Sequence, residues 1–378
     1  MATVVTDGLL RELAGFRAAN GCAVSLYVDF DPSVLPTIPD EKTKFDATVQ
    51  GAEKTAEKRS RDRGRDCRFA LEADFERIKE WGENEFDRAG ARALAVFASS
   101  ADDYFRIVPL LEPADGWAIG PELWLTPLAG QLGRGEGALV AVVSRERGVL
   151  YRLQDGWLEE IADDTEEVPG QHDQGGWSQA RYQRHIENIV LHHLKLVGEE
   201  LDRTVRNGHR PRMVVIAPEE MRGEFVAQLS HETRQAIVGW AHVDAHAGPT
   251  ELLRAVRPLL AEAQARDDQA ALARWESERG RGGRAAAGWK QTLDAASDAR
   301  VEVLLVSEGA RHQGWSCPQC GRASADGGKC PLDGTKLEQR DDAADLAIHQ
   351  TVLHGGSLVW LGAGALADAD GIGAILRF

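Results

Sequence analysis

Short apolar segments alternate with long amphipathic stretches along the whole of this 378-residue chain. Residues 22–30, 91–99, 138–144 and 301–307 have the β-branched and alternating residues that are typical of strands. The stretches between them repeat their apolar residues at helical spacing. Strand and helix signals that alternate in this way predict mixed sheets with helices packed against them, which is an α/β fold.

The length predicts more than one domain, and the pattern divides most naturally into three. Residues 1–133 form an N-terminal α/β domain, residues 134–266 a middle domain, and residues 267–378 a C-terminal α/β domain with a cysteine-rich insert at 312–336. The middle domain begins with a predicted β-hairpin over residues 138–153. It consists of two apolar strands around a charged turn that ends in glycine.

Charge and hydropathy limit the partners of the chain. No apolar run approaches the roughly 18–20 residues of a membrane span, and we see no secretory signal, so we expect a cytoplasmic protein with no membrane partner. The chain has 44 basic and 60 acidic side chains, a formal net charge of −16. That sign is wrong for a generic nucleic-acid coat. Any contact with RNA therefore requires basic side chains gathered at a few points.

Two adjacent glycines, Gly175 and Gly176, follow an acidic polar stretch at residues 163–174 and precede a long amphipathic helix that Ser178 is suited to cap. Glycine permits positive φ and a close approach of the backbone to another molecule. The predicted helix then begins with side chains that suit the end of an RNA better than an apolar partner: Gln179, Arg181, Arg184 and His185.

The Gly-Gly-Trp-Ser-Gln run at residues 175–179 resembles the Gly-Gly-Gln loop of archaeal and eukaryotic class I peptide-chain release factors. It is most similar to the Gly-Gly-x-Ser-Gln form of their bacterial relatives and of the Vms/Ankzf peptidyl-tRNA hydrolase clade. The tail at residues 371–378, Gly-Ile-Gly-Ala-Ile-Leu-Arg-Phe, resembles the close of the family's third domain. In the release factors the glutamine follows the glycines directly, whereas Trp177 and Ser178 intervene here, so Gln179 is the corresponding amide.

The resemblance implies a ribosome-associated release or rescue factor that hydrolyses peptidyl-tRNA. The chain lacks the Asn-Ile-Lys-Ser motif of members that read stop codons, so we expect action without decoding. An amide is a poor general base, so Gln179 would position water while backbone N–H groups stabilise the developing charge. Gly175 and Gly176 would shape the catalytic loop, and the tRNA end would be held by Arg181, Arg184 and His185. The expected partners are the ribosome, tRNA and, since the sequence has no P-loop, a translational GTPase.

Three alternatives remain open from the same residues. The chain could cut tRNA near its 3′ end, with a ribose 2′-OH as nucleophile, or it could occupy the ribosomal A site in dormancy with no chemistry. The third is a serine hydrolase, because residues 176–180 approximate a Gly-x-Ser-x-Gly nucleophile elbow around Ser178. An elbow needs a buried strand directly before it, and residues 165–174 are polar and include Pro169.

The cysteine-rich insert has the spacing of a metal site. Cys317-Pro-Gln-Cys320-Gly and Cys330-Pro-Leu-Asp333-Gly are typical of two zinc knuckles, in which residues three apart face one tetrahedral ion. Asp333 stands where a zinc ribbon has cysteine and would supply an oxygen ligand to a structural Zn²⁺. His312 or water are alternative fourth ligands, and loss of the metal with the loop fold retained is a further one.

Cys22 and Cys67 stand apart from this cluster and from each other. Five cysteines in this arrangement argue against a disulfide framework. We predict that Cys22, at the start of an apolar run, is a small buried hydrophobic residue.

Overall fold

The computed structural model describes residues 5–19, 22–60, 65–88, 90–132, 137–154, 156–163, 177–207, 211–244 and 246–378, without the side chains of residues 58–60, 65, 177–187 and 207. Two compact units are present. One contains residues 1–133 and 268–378, and the other contains residues 134–267. Within the described ranges, every helix is too short or too polar to span a lipid bilayer.

The first segment of the chain is an antiparallel sheet with helices. Its elements are α1 (Asp7–Ala14), β1 (Ala23–Asp29), α2 (Ile38–Ser60), α3 (Arg65–Asn84), β2 (Ala93–Ser99), β3 (Tyr104–Leu110), β4 (Gly116–Gly120) and α4 (Thr126–Ala129). The sheet has the order β3-β2-β1-β4. Both faces are buried because alternate residues of β1 enter different cores. Val24, Leu26 and Val28 pack with α2 and α3, whereas Ala23 and Tyr27 face the core that contains α1.

Helices α2 and α3 pack together against one face of this sheet. Cys67 of α3 is joined to Cys22 by a disulfide, with the two Cα atoms 5.9 Å apart and both residues buried. Cys22 is therefore buried, as predicted, but the expectation that it takes no part in a disulfide is wrong. The residues are 45 positions apart, and only the packing of the hairpin on the sheet brings them together.

The second unit is built around one mixed sheet. Its elements are β5 (Leu139–Val143), β6 (Gly148–Gln154), β7 (Trp157–Asp163), α5 (Trp177–Asn207), β8 (Met213–Ile216), α6 (Glu219–Gln228), α7 (His231–Ala236), β9 (Ile237–Ala241) and the beginning of α8 (Pro249–Gly280). The order is β7-β6-β5-β8-β9, antiparallel through β5 and parallel from β5 to β9. Leu139 and Ala141 pack with α5 and α6, and Val140 and Val142 pack with α8. The predicted hairpin is confirmed.

The last segment completes the first unit. It contains β10 (Ala285–Ala287), α9 (Gly288–Ser297), β11 (Val301–Ser307), β12 (Gly314–Ser316), β13 (Ala323–Ser324), β14 (Glu338–Arg340), α10 (Ala343–Leu353), β15 (Ser357–Leu361) and β16 (Ile372–Leu376). The main sheet has the order β10-β16-β11-β15, and a small sheet has the order β13-β12-β14. The sequence favours helix from residue 285, but Ala286 pairs with Ala374 in the sheet. Sheet pairing outweighs the helix propensity of alanine here.

Close packing explains why two positions of the tail are glycine. Gly373 lies under the indole of the fully buried Trp275, where an added Cβ would come within 2.8 Å of the ring. Gly371 has φ +84°, and its Cβ would come within 2.7 Å of the Cβ of Ala310. The Gly-Ile-Gly motif therefore lets β16 pass directly beneath α8 and beside the end of β11.

The outer segments share one hydrophobic core. It contains Leu10 and Leu13 of α1 together with Leu293 of α9 and Ile348 of α10. The α/β architecture predicted from the sequence is thus confirmed, with helices covering mixed sheets in both units. Residues 1–133 and 268–378 form a single compact unit. The division of the chain into three domains stays a prediction.

Candidate functional site

The beginning of α5 carries the predicted catalytic and RNA-binding residues. Helix α5 starts at Trp177, one residue before Ser178, so the capping role of Ser178 stays a prediction. Gly175 and Gly176 lie outside the described residues, immediately before this helix.

Four predicted side chains follow in the first turns of α5: Gln179, Arg181, Arg184 and His185. Their backbone is helical, and their side chains are outside the described part of the chain. The spacing of Gln179, Arg181 and Arg184 does not place them on one helical stripe, since only residues three or four apart share a face. Their convergence on one ligand therefore stays a prediction.

The later turns of α5 fix the helix on its sheet. Val190, Leu194, Val197 and Leu201 are buried in the core with Leu139 of β5. These residues form the apolar face of the amphipathic helix that the sequence predicts. The beginning of α5 is thus the end of a long helix whose remaining turns are anchored by apolar packing.

The cysteine-rich insert brings its four predicted ligands together. The ligand atoms of Cys317, Cys320, Cys330 and Asp333 all lie within 4.8 Å of one another. The Sγ atoms of Cys320 and Cys330 are 3.6 Å apart, and Cys317 Sγ is 3.4 Å from Asp333 Oδ2. Four ligands at about 2.3 Å from one Zn²⁺ would lie about 3.8 Å from each other in a tetrahedron. The arrangement therefore has the dimensions of a tetrahedral metal site.

Both knuckles have the same backbone turn. Gly321 N donates to Cys317 O and Gly334 N donates to Cys330 O, each at 2.9 Å. Gly321 and Gly334 have φ values of +75° and +74°, a conformation that glycine adopts at little cost. The replacement of cysteine by Asp333 therefore leaves the second turn intact.

Asp333 is better placed as the fourth ligand than His312. The backbone N–H of Thr335 donates to Asp333 Oδ1 at 2.8 Å, and hydrogen bonds from Thr335 lower the pKa of Asp333 to about 2. The carboxylate is therefore charged at neutral pH. His312 instead stacks on Trp289, with ring centroids 5.1 Å apart, and does not belong to the cluster of potential ligands.

The insert is anchored to its surroundings through its first knuckle. Arg17 of the N-terminal segment donates from Nη2 to Pro318 O at 3.0 Å, and Gln350 Nε2 of α10 donates to Gly321 O at 2.9 Å. Arg322 forms an ion pair with Asp298 at 2.7 Å. The first knuckle is thus connected to residues far apart in the chain. A metal that holds the shape of this knuckle would therefore be structural.

A hydrogen-bonded junction at the start of α10 was not apparent from the sequence. Asp342 Oδ2 accepts from Trp124 Nε1 and Thr126 Oγ1, each at 2.8 Å. Asp345 Oδ1 accepts from the backbone N–H of Leu125 at 2.7 Å. Asp342 before an alanine pair indicates an N-cap. The residues next to Asp342 in sequence do not indicate that it also binds Trp124 and Thr126, more than 200 residues earlier.

Comparison with known proteins finds a family that is similar to the middle of the chain. Residues 124–260 match the model for "Bacterial archaeo-eukaryotic release factor family 10". Peptide chain release factor subunit 1 of Archaeoglobus fulgidus is 27% identical over 211 residues, 53% of this chain and 51% of the relative. The homologous subunit of Methanopyrus kandleri is 22% identical over 331 residues, 83% of this chain and 77% of the relative.

The middle of this chain is thus similar to release factors and to their bacterial relatives. The release-factor-like chain spans about half the length of the first of these curated relatives. Among solved structures, an archaeal translation termination factor aligns over 99% of both chains at 18% identity, with a TM-score of 0.26. Archaeoglobus fulgidus Pelota aligns over 78% of this chain and 82% of its own at 16% identity, with a TM-score of 0.33.

Proposed function

We propose that this chain is a member of the release-factor superfamily and acts as a ribosome-associated rescue factor that hydrolyses peptidyl-tRNA without decoding a stop codon. The observation that carries the proposal is the family match over residues 124–260. This range includes the Gly-Gly-Trp-Ser-Gln run, helix α5 after it and all five strands of the sheet of the second unit. Two curated relatives are named as peptide chain release factor subunits. The lack of an Asn-Ile-Lys-Ser motif supports a role without decoding.

In the proposed reaction, Gln179 positions a water molecule against the ester that joins the peptide to the tRNA 3′ end. Water attacks the ester carbonyl, the C–O bond to the ribose breaks, and the peptide acid and the tRNA 3′-hydroxyl are released. Gly175 and Gly176 let the backbone approach the ester, and their N–H groups can stabilise the oxyanion. Arg181, Arg184 and His185 would contact tRNA phosphates, which gathers positive charge at one point of an acidic protein.

The test is release of a labelled peptide from stalled ribosomal complexes. We expect Gln179→Ala to lower the rate by about a hundredfold, a typical cost of losing one positioned donor. Gln183→Ala, one turn later in the same helix, is the matched control and should release at the normal rate. Unchanged release by the Gln179 variant would remove this residue from the mechanism.

The tRNA product distinguishes the alternatives. An intact 3′ terminus after release supports ester hydrolysis, whereas a shortened terminus indicates cutting of the tRNA. Ribosome binding at moderate salt with no tRNA product would instead indicate a dormancy factor. Hydrolysis of small esters that disappears in Ser178→Ala would indicate the serine hydrolase. A partner GTPase would be identified by GTP-dependent stimulation of release, since the sequence carries no P-loop.

We also propose that Cys317, Cys320, Cys330 and Asp333 hold one structural Zn²⁺. The separations of their ligand atoms and the paired knuckle turns support a tetrahedral ion. Bound metal would stabilise the fold by joining the knuckles, since structural zinc contributes directly to folding free energy.

Elemental analysis and thermal unfolding test the zinc proposal. We expect about one zinc per chain, loss of the metal in Asp333→Ala, and a lower unfolding temperature after chelation. Asp333→Cys should retain zinc and lose it to a chelator more slowly, since a fourth thiolate binds zinc well. Asp326→Asn, in the same insert but outside the cluster, is the control. Zinc-free protein whose unfolding temperature does not respond to added zinc or to chelator would contradict the proposal.

A further inference from the structure

The second knuckle is the turn of a short hairpin, residues 328–337, in which Lys329 and Lys336 form an antiparallel bridge. The backbone hydrogen bonds that flank this bridge join its neighbours: Cys330 N to Thr335 O at 2.7 Å and Leu337 N to Gly328 O at 2.9 Å. Because these bonds lie on either side of the two lysines, the lysines are a non-hydrogen-bonded pair. Opposite side chains are closest in a pair of this kind. We call Lys329 and Lys336 the lysine pair.

The lysine pair faces away from the potential metal ligands. Successive residues of a strand point to opposite faces. Cys330 and Leu337, which follow the two lysines in sequence, are buried with Cys317 in the core of the insert. Both lysines are exposed. The lysine pair therefore lies on the outer face of the hairpin, where a large partner can reach both ammonium groups.

Among the residues that the structure describes, no carboxylate forms an ion pair with the lysine pair. Residues 312–340 contain three acidic side chains. Each of them has another partner: Lys290 Nζ for Asp326 at 2.9 Å, Arg340 Nη1 for Glu338 at 3.5 Å and Thr335 N for Asp333 at 2.8 Å. Like charges directly opposite each other in a sheet are destabilising. A bound anion would remove this cost.

We propose that the lysine pair binds the phosphate backbone of RNA. The chain has a net charge of −16, so a contact with RNA requires basic side chains gathered where acidic ones are engaged elsewhere. The lysine pair meets that condition. Lysine binds phosphate as a point charge, and such contacts position a protein without reading the sequence. RNA is favoured over an acidic protein because phosphates follow one another along every strand, so both ammonium groups can be neutralised together.

The inference rests on the proposed association with the ribosome and adds a second point of RNA contact to it. It does not require the hydrolysis. Binding of free RNA is measured without ribosomes, so RNA binding and peptide release can fail independently of each other.

The test is fluorescence anisotropy of a labelled RNA hairpin titrated with the purified full-length protein at several salt concentrations. The double variant Lys329→Gln/Lys336→Gln should bind roughly tenfold more weakly. The slope of log K against log salt should become shallower by about one for each lysine removed. Lys290→Gln is the matched control, because this exposed lysine of the same unit is paired with Asp326, and it should leave affinity and slope unchanged. A peptide nucleic acid of the same base sequence, whose backbone is uncharged, should not bind.

Zinc content and thermal unfolding distinguish a binding role from a structural one. Removal of two like charges that face each other should leave the double variant with the zinc content of the unchanged protein. Its unfolding temperature should be equal or slightly higher for the same reason. Weaker RNA binding by a protein that is at least as stable is the result that the proposal requires.

Four results would overturn the proposal. One is the absence of saturable RNA binding by the folded protein. Another is an equal affinity and salt slope for the double variant and Lys290→Gln. A lower zinc content in the double variant would assign the lysines to the metal site. Tighter binding of a polyglutamate peptide than of RNA would identify an acidic protein as the partner.

Discussion

The two compact units use the same kinds of element but assemble them differently. In the second unit, one continuous stretch supplies the sheet and the helices that bury both of its faces. In the first unit, residues 1–133 and 268–378 contribute to one core, and hydrogen bonds such as Trp124 Nε1 to Asp342 span 218 positions. The comparison indicates that the middle of the chain is structurally self-sufficient, whereas the outer segments depend on each other.

The largest expected effect follows from separating the segments. Residues 137–267 expressed alone should unfold cooperatively in denaturant, because their cores are internal to that stretch. Residues 5–132 expressed alone should not, since the core that contains Leu10 and Leu13 would lose its α9 and α10 partners. Joining the outer segments through a short Gly/Ser linker should restore cooperative unfolding. A cooperative transition in the isolated N-terminal segment would show that the difference between the units is smaller than the shared core suggests.

A second effect concerns pH at the junction of the outer segments. Burial raises the pKa of Asp345 to about 7, above its value in an unfolded chain. The native state then binds the proton more tightly, so this group's stabilising contribution is present at low pH and is lost as pH rises from about 4 through about 7. Since each pKa unit corresponds to about 1.4 kcal/mol, the effect is on the order of a few kcal/mol. Asp345→Asn keeps an acceptor for Leu125 N and should flatten this dependence in denaturant titrations.

The isolated fragment 137–267 is the internal control for that measurement, because it lacks Asp345 and should not show this contribution. A full-length Asp345→Asn variant with the same decline in stability from pH 4 to pH 7 would assign the dependence to other groups.

Two glycine substitutions, one in each unit, should change the stability of the fold by smaller amounts and in opposite directions. Gly373→Ala would force a Cβ to within 2.8 Å of the buried Trp275 indole, and overpacking of this kind costs about 1–3 kcal/mol. Gly223→Ala in α6 meets nothing within 4 Å, and alanine favours a helix over glycine by about 0.5–1 kcal/mol. Thermal unfolding should therefore move down for the first variant and up for the second. A neutral Gly373→Ala would mean that Trp275 can shift freely.

The structure also indicates which features local sequence can and cannot specify. The hairpin at β5 and β6, the stripe on α5 and the two knuckles follow from spacing within a few residues, and the structure has them as predicted. The Cys22–Cys67 disulfide and the strand at Ala285–Ala287 depend on partners distant in sequence. Local propensity could not identify them. For the glycine loop and the side chains of Gln179, Arg181, Arg184 and His185, the sequence remains the source of the prediction.

The carboxylate of Asp342 forms hydrogen bonds both within helix α10 and with the N-terminal segment. Its Oδ1 accepts the N–H groups of Ala344 and Asp345 at the start of α10, while its Oδ2 accepts from Trp124 and Thr126. The N-terminal segment is therefore not an interchangeable module. A chimera that grafts this segment from a relative must keep hydrogen-bond donors at the positions of Trp124 and Thr126, or Asp342 Oδ2 loses both of these partners.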